Sequence, residues 1–209
     1  MTQAGESPSV WQRSRRLATQ EIMDTAIRLF AAQGYEETTT AQIAQEAGVS
    51  QRTLFRYFGT KEDLVCGEQD ELGERFLETV HTQPASVGIW DALQHGFASL
   101  FTDTTSHRAL ALVTLIFHTP ALRARYTEKR LRWQSELLPI VVRRLTASGT
   151  TKDRADLEAR AIIAVTFACA DAAVGNWVAL NGKTDLSDLY DQALALARTA
   201  PCEFAAGEA

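Results

Sequence analysis

Apolar residues recur at the helical period along most of this chain. Ile22, Ala26, Leu29 and Phe30 fall at i, i+4, i+7 and i+8, which predicts a helix beginning between Trp11 and Leu17 and running to Gln33. Gly34 ends it, because glycine adopts the left-handed conformation after a helix without a Cβ clash. Two short helices follow. The first covers Ala41–Ala47 with Ile43, Ala44 and Ala47 inward, and the second covers Gln51–Phe58 with Leu54 and Phe58 inward. Thr39 or Thr40 supplies the cap of the first, with capping the main role expected of Thr40, and Ser50 caps the second. Helices this short cannot stand alone in water. Separated by Gly48-Val49-Ser50, they form a helix-turn-helix held by the long first helix and by a fourth, from Thr60 to Val80, with Asp63 at a capping-box position.

A break at Gln83-Pro84-Ala85-Ser86 precedes a second apolar series, Ile89, Trp90, Leu93, Phe97, Leu100 and Phe101. Asp103–Ser106 is polar, and Ala109–Phe117 reads as a buried helix. Pro120 opens the next helix, which carries Leu122, Tyr126, Trp133, Leu137, Ile140, Val141 and Leu145; Pro139 is expected to kink or divide it near Leu137. After Ser148-Gly149-Thr150 a long helix begins at Asp156 or earlier and continues through Val178, crowded with small residues. A last amphipathic helix runs from Leu186 or Asp188 to Arg198. These last two helices are apolar on more than one side, so a partner surface is expected, with Ala161, Val165, Ala168, Ala172, Leu189 and Leu196 as candidates. The alternative is that the surplus is spent inside one chain. The fold class is all-α: a flexible arm over 1–16, a helix-turn-helix domain over 17–64, a helical ligand-binding and dimerisation bundle over 65–200, and a flexible tail over 201–209.

Composition narrows the function. With 45% hydrophobic and 22% charged residues the chain has material for a substantial core, and its net charge of -5 argues against coating nucleic acid by charge alone. Charge is unevenly placed: Arg13–Lys61 holds seven basic and five acidic residues, whereas Glu62–Glu78 is dominated by acids. Any DNA face is therefore a small patch. Arg13, Arg15 and Arg16 form a compact basic cluster that is either solvated or in contact with phosphate or the minor groove. Cys66, Cys169 and Cys202 are widely spaced and lack metal-ligand partners, which suggests reduced thiols and no metal. The opening residues lack a signal-peptide pattern and no uninterrupted run of 18 apolar residues occurs, so a cytoplasmic protein without a membrane span is expected.

The start of the second short helix is where a helix-turn-helix meets base edges. There Arg52 can pair bidentately with guanine and Gln51 with adenine, while Thr53 can bond a base or pack its methyl against thymine. The motif AxxLFAxxGYExTTxAQIAxEAGVSxxTLFRYFxxKEDL lies within a continuous run from Ile22 to Leu64 that resembles the TetR family of bacterial regulators. The resemblance implies a homodimer on a double-stranded operator. It also implies that Gln51, Arg52, Thr53 and Tyr57 meet bases or backbone and that Thr39 and Lys61 approach phosphates. Phe55 stands where the family commonly has tyrosine, so an apolar contact replaces a phenolic one. In the family the last two helices of each subunit form a four-helix interface.

For an effector, the candidates are Trp90, Phe97, Leu112, Ile116, His118, Tyr126, Trp133 and Phe167; each alone reads as core, and it is the group of bulky aromatics among helices that suits an apolar cavity. His118 supplies either an orienting polar contact or a helix-terminal hydrogen bond. The resemblance implies a hydrophobic ligand such as a fatty-acyl thioester, a lipid-like metabolite or a drug, bound non-covalently, with no resident cofactor. His81, His95, His107 and His118 form no H-E-x-x-H site, and neither a glycine-rich phosphate loop nor a G-x-S-x-G elbow occurs, so no catalytic residue is assigned and no enzyme is expected. The expected function is a ligand-released repressor on a palindromic operator. The alternatives are an activator of the same fold and a helical protein-binding module without DNA binding.

Overall fold

A computed structural model describes residues 10–102 and 107–199. Its helices are α1 (Val10–Gln33), α2 (Thr40–Glu46), α3 (Gln51–Tyr57), α4 (Asp63–Cys66), α5 (Glu68–Thr82), α6 (Ile89–Phe101), α7 (His107–His118), α8 (Pro120–Ala147), α9 (Lys152–Ala179) and α10 (Leu186–Thr199). The chain falls into two compact units, Met1–Glu68 with Leu115–Tyr126, and Gln69–Thr114 with Thr127–Ala209. The expected linear boundary after Leu64 misses the second segment of the first unit. Residues 1–9 and 200–209, which hold most of the expected arm, all of the expected tail and Cys202, lie outside the described residues. Residues 10–16, expected in the arm, belong to α1.

In the first unit α1 packs on α2 and α4, and α2 on α3. Ile22, Met23, Ala26 and Phe30 form the buried stripe of α1, meeting Ile43, Ala44, Leu54, Phe58 and Leu64. Gly34 (φ 90°) and Gly48 (φ 66°) take the left-handed turns that end α1 and α2. Thr39, not Thr40, caps α2: its hydroxyl accepts from the Gln42 amide while Gln42 Oε1 accepts from the Thr39 amide, a complete capping box. Thr40 is the first residue inside the helix. The segment Leu115–Tyr126 belongs here because Leu122 is fully buried and its carbonyl accepts from the Cys66 thiol, while Arg125 donates twice to Asp63 Oδ1, at 3.1 and 3.0 Å.

The second unit is built on α6, α9 and α10, each packing on the other two. The expected helix over 60–80 is divided into α4 and α5 by a turn at Gly67, and α8 runs unbroken through Pro139 rather than dividing there. Proline removes a single donor, and Pro139 lies on the exposed side of a helix whose Leu137 and Val141 are anchored in the core. By length and composition α9 could cross a membrane, with a window of mean hydropathy 1.6. Half of that window is buried in the protein's own core, through Ile162, Ile163, Phe167, Ala170, Ala173, Val174 and Trp177.

Candidate functional site

Local chemistry builds α3 as a presenting element. Ser50 caps it, its Oγ accepting from the Thr53 amide at 3.1 Å and lying 2.9 Å from the Thr53 hydroxyl. Leu54 and Phe58, one helical turn apart, fix its inner face. Gln51, Arg52, Phe55 and Arg56 are consequently exposed, with Thr53 and Tyr57 half-buried. The helix starts with its free amides and positive dipole end beside Gln51 and Arg52, a favourable place for phosphate oxygens. Arg15 and Arg56 lie 5.8 and 5.3 Å from the centre of the Tyr57 ring, which adds positive charge to the rim of this patch. The side chains of Arg13 and Arg16 lie outside the described residues. Thr39, exposed except for its role as cap, stands beside Thr40 at the start of α2.

Lys61 is placed differently from its expected role. Its Nζ donates to the Tyr35 carbonyl and sits 4.1 Å from the Tyr35 ring centre and 5.8 Å from that of Phe30. Tyr35 Oη in turn donates to Glu62 Oε1 at 2.7 Å. Burial above all, joined by the hydrogen bond and charge of Glu62, pushes the Tyr35 phenol well above its usual range. Burial also works to raise the Glu62 carboxyl, but the hydrogen bonds from Tyr35, from its own backbone and from Thr60 outweigh it and hold the group below the ordinary carboxylate value. Tyr35, Lys61 and Glu62 together brace the turn before α4, and the motif alone shows Tyr35 only as a residue folding back on α1. Lys61→Ala should therefore lower the stability of the DNA-free motif by about 1 to 2 kcal/mol, for the lost hydrogen bond and ring contact. Thermal melting without DNA tests this. Unchanged melting, with cognate and unrelated DNA equally weakened and a shallower salt dependence, would instead make Lys61 a phosphate contact.

The eight expected effector residues are divided between the two units. Ile116, His118 and Tyr126 lie in the first unit, and Trp90, Phe97, Leu112, Trp133 and Phe167 in the second. Ile116 is buried, His118 is exposed at the end of α7, and Tyr126 is half-buried 6.4 Å from Phe117. Trp90 and Leu112 are half-buried. Phe97, Trp133 and Phe167 join Phe76, Phe101 and Tyr190 in a cluster packed ring on ring: Phe76 to Phe97 4.8 Å, Phe97 to Phe167 5.2 Å, Phe97 to Tyr190 4.9 Å. These rings pack against one another within the second unit.

Sequence reading also missed Arg130. It is 5% exposed, donates to Asp171 Oδ1 at 2.6 Å and to the Phe167 carbonyl at 3.0 Å, and lies 4.8 Å from the Phe167 ring centre. A signal was present: Leu122, Tyr126, Trp133, Leu137 and Val141 mark one face of α8, and position 130 is the missing step of that stripe. Of the expected interface residues, Ala161, Ala168 and Ala172 are exposed and Val165 half-buried along one face of α9, and Leu196 is 68% exposed. Leu189 is buried within its own chain, because α10 turns Leu186, Leu189, Tyr190 and Leu194 inward.

Comparison with known proteins places this arrangement. Residues 22–66 match the model for bacterial regulatory proteins of the tetR family, and residues 87–200 match the model of the MftR C-terminal domain. The chain belongs to the TetR family. The HTH-type transcriptional regulator TcmR of Streptomyces glaucescens is 30% identical over 192 residues, which cover 87% of this chain and 82% of that protein. Among TetR-like structures, the fatty acid degradation regulator FadR from Bacillus halodurans superposes with a TM-score of 0.63 at 22% identity, over 88% of this chain and 95% of that one. FadR from Bacillus subtilis, in complex with stearoyl-CoA, gives a TM-score of 0.61 at 23% identity, over 87% and 98%. This chain is thus a DNA-binding transcriptional regulator with an N-terminal helix-turn-helix and a helical C-terminal domain.

Proposed function

We propose that the protein is a cytoplasmic repressor that binds a palindromic operator as a homodimer and is released by a small hydrophobic effector, with no resident cofactor and no catalytic role. The observation that carries the reading is α3: Gln51, Arg52 and Thr53 stand at the open end of a capped helix whose inner side chains hold it in place. Two such helices in a symmetric dimer meet half-sites about one DNA turn, roughly 34 Å, apart. The similarity to FadR, whose structure holds stearoyl-CoA, supports an apolar effector for this chain also.

Release needs a ligand that prefers the low-affinity conformation, and a roughly 100-fold preference supplies about 2.7 kcal/mol. A covalent route for such a signal exists, since α7 and α8 each contribute residues to both units and the Leu115–Tyr126 segment braces α4 through Leu122 and Arg125. Arg52→Ala should weaken cognate binding by about 1 to 3 kcal/mol and relax discrimination at one base position. Selection of bound DNA from a random pool, followed by titration of wild type and variant on the selected site, tests this. Unchanged affinity and an unchanged selected sequence would remove Arg52 from base readout.

A further inference from the structure

Tyr190 is buried to 1% exposure, yet its hydroxyl meets no hydrogen-bonding partner among the described residues. Phenylalanine would fill the same space without the cost of an unsatisfied hydroxyl, so the oxygen calls for a role outside the packing itself. Its ring is held 4.9 Å from Phe97 and 5.8 Å from Phe101. Burial foremost, with Cys169 and Asp191 nearby, pushes the phenol well above its usual range; it keeps its proton and is a donor at any physiological pH. Arg130 acts on that oxygen in the opposite sense, but less than Cys169 and Asp191 do. The guanidinium is itself buried, tied to the half-exposed Asp171 on one side and to the Phe167 carbonyl on the other. The surroundings of the hydroxyl thus combine apolar rings and an available proton. They suit an apolar molecule with an accepting oxygen, whereas an ammonium has no lone pair to accept the Tyr190 hydrogen.

One ring of the cluster is placed to let a ligand in. Of Phe76, Phe97, Phe101, Phe167 and Tyr190, only Phe101 is not fully buried, and it occupies the last position of α6. It stacks 6.1 Å from Phe97. Phe101 packs on both Phe97 and Tyr190, so moving this one ring frees one side of the Tyr190 ring and leaves the contacts among Phe76, Phe97 and Phe167 in place. Nearby, α7 presents the apolar segment Ala109–Leu115 without one fully buried residue, and its Leu110 lies against the Gly182 turn before α10.

We propose that Tyr190 is the polar anchor of the effector site: the effector is an apolar carbonyl or carboxylate compound whose oxygen accepts the Tyr190 hydroxyl after Phe101 moves aside. This rests on the reading of the protein as an effector-released repressor. The test is Tyr190→Phe, compared with wild type by thermal melting and by release of selected operator DNA. The probes are decanoate, methyl decanoate and decylamine, and naphthoate, methyl naphthoate and naphthylmethylamine. Without ligand the variant should melt at or above the wild-type temperature and bind operator equally. Acids or esters of at least one series should release wild type from DNA, amines should not, and the variant should need about tenfold more of the same probe, the loss of roughly one buried hydrogen bond. The acid and ester arms distinguish a carboxylate from a carbonyl. Equal probe concentrations for the two proteins, amines as effective as acids, or a lower melting temperature of the ligand-free variant would each overturn the anchor. If wild type binds operator and no probe of either series releases it, the effector reading itself fails, a result distinct from equal release of both proteins.

Discussion

Ala168→Glu is expected to give a folded monomer with operator affinity reduced about 100-fold or more, equivalent to at least about 2.7 kcal/mol. The case starts from α9, where the exposed positions from Ala161 to Ala179 are Ala161, Ala164, Ala168, Ala172, Asn176 and Ala179, without a charge among them. Leu157, 72% exposed, extends this face toward the start of the helix. A helix that buries Ile162, Phe167 and Trp177 on one side and shows alanine on the other is apolar all round, a composition that needs cover on both sides. Small residues also let a second helix approach closely. A two-fold axis would bring the same face of a second copy onto it and place two introduced carboxylates in a dry seam, each costing several kcal/mol unless paired. A monomer then meets one half-site and loses the coupled second contact. Light scattering and operator titration on wild type and variant check the result. A wild-type protein that is monomeric at micromolar concentration, or a dimeric variant with full operator affinity, would refute the interface.

Trp133→Ala should cost about 3 to 5 kcal/mol of stability, a large share of what a domain of this kind possesses. The tryptophan is 5% exposed and stacks 6.3 Å from Phe76. It fits against α5 only because position 73 is glycine: a Cβ there would stand 2.1 Å from the indole Nε1. Gly73→Ala is accordingly destabilising by about 1 to 3 kcal/mol through overpacking, despite the better helix propensity of alanine. The two sites should couple. In a Trp133→Leu background the added methyl finds room, and Gly73→Ala should lose most of its penalty or become stabilising. Chemical denaturation of the four proteins measures the cycle. Additive effects would show that the indole and position 73 do not share a volume. Trp133, one of the candidate effector residues, therefore has a packing role against α5.

Much of the first unit was legible because its determinants are local. A glycine at 34 and at 48 ends a helix by its own backbone freedom, Ser50 caps α3 through an amide three residues away, and Leu54 with Phe58 states which side of α3 faces inward. The outward display of Gln51 and Arg52 follows from that alone. The exposed alanines of α9 were likewise foreseeable, since surplus apolar character on a helix is a property of its own sequence. Tertiary structure decided the rest. Lys61 was read as a phosphate contact, but its partner is the carbonyl of Tyr35, 26 residues away. Arg130 was read among the charged residues between apolar steps, and it is a core residue because Asp171, 41 residues on, satisfies it. The same holds for Tyr190 and Leu189, whose side of α10 is chosen by α6 and α9, and for Leu115–Tyr126, which joins the helix-turn-helix unit. Periodicity specifies which residues share a face of a helix; which neighbour that face meets depends on contacts between segments far apart in the chain, and with it whether a charge is solvated or buried, or an aromatic group lines space or fills it.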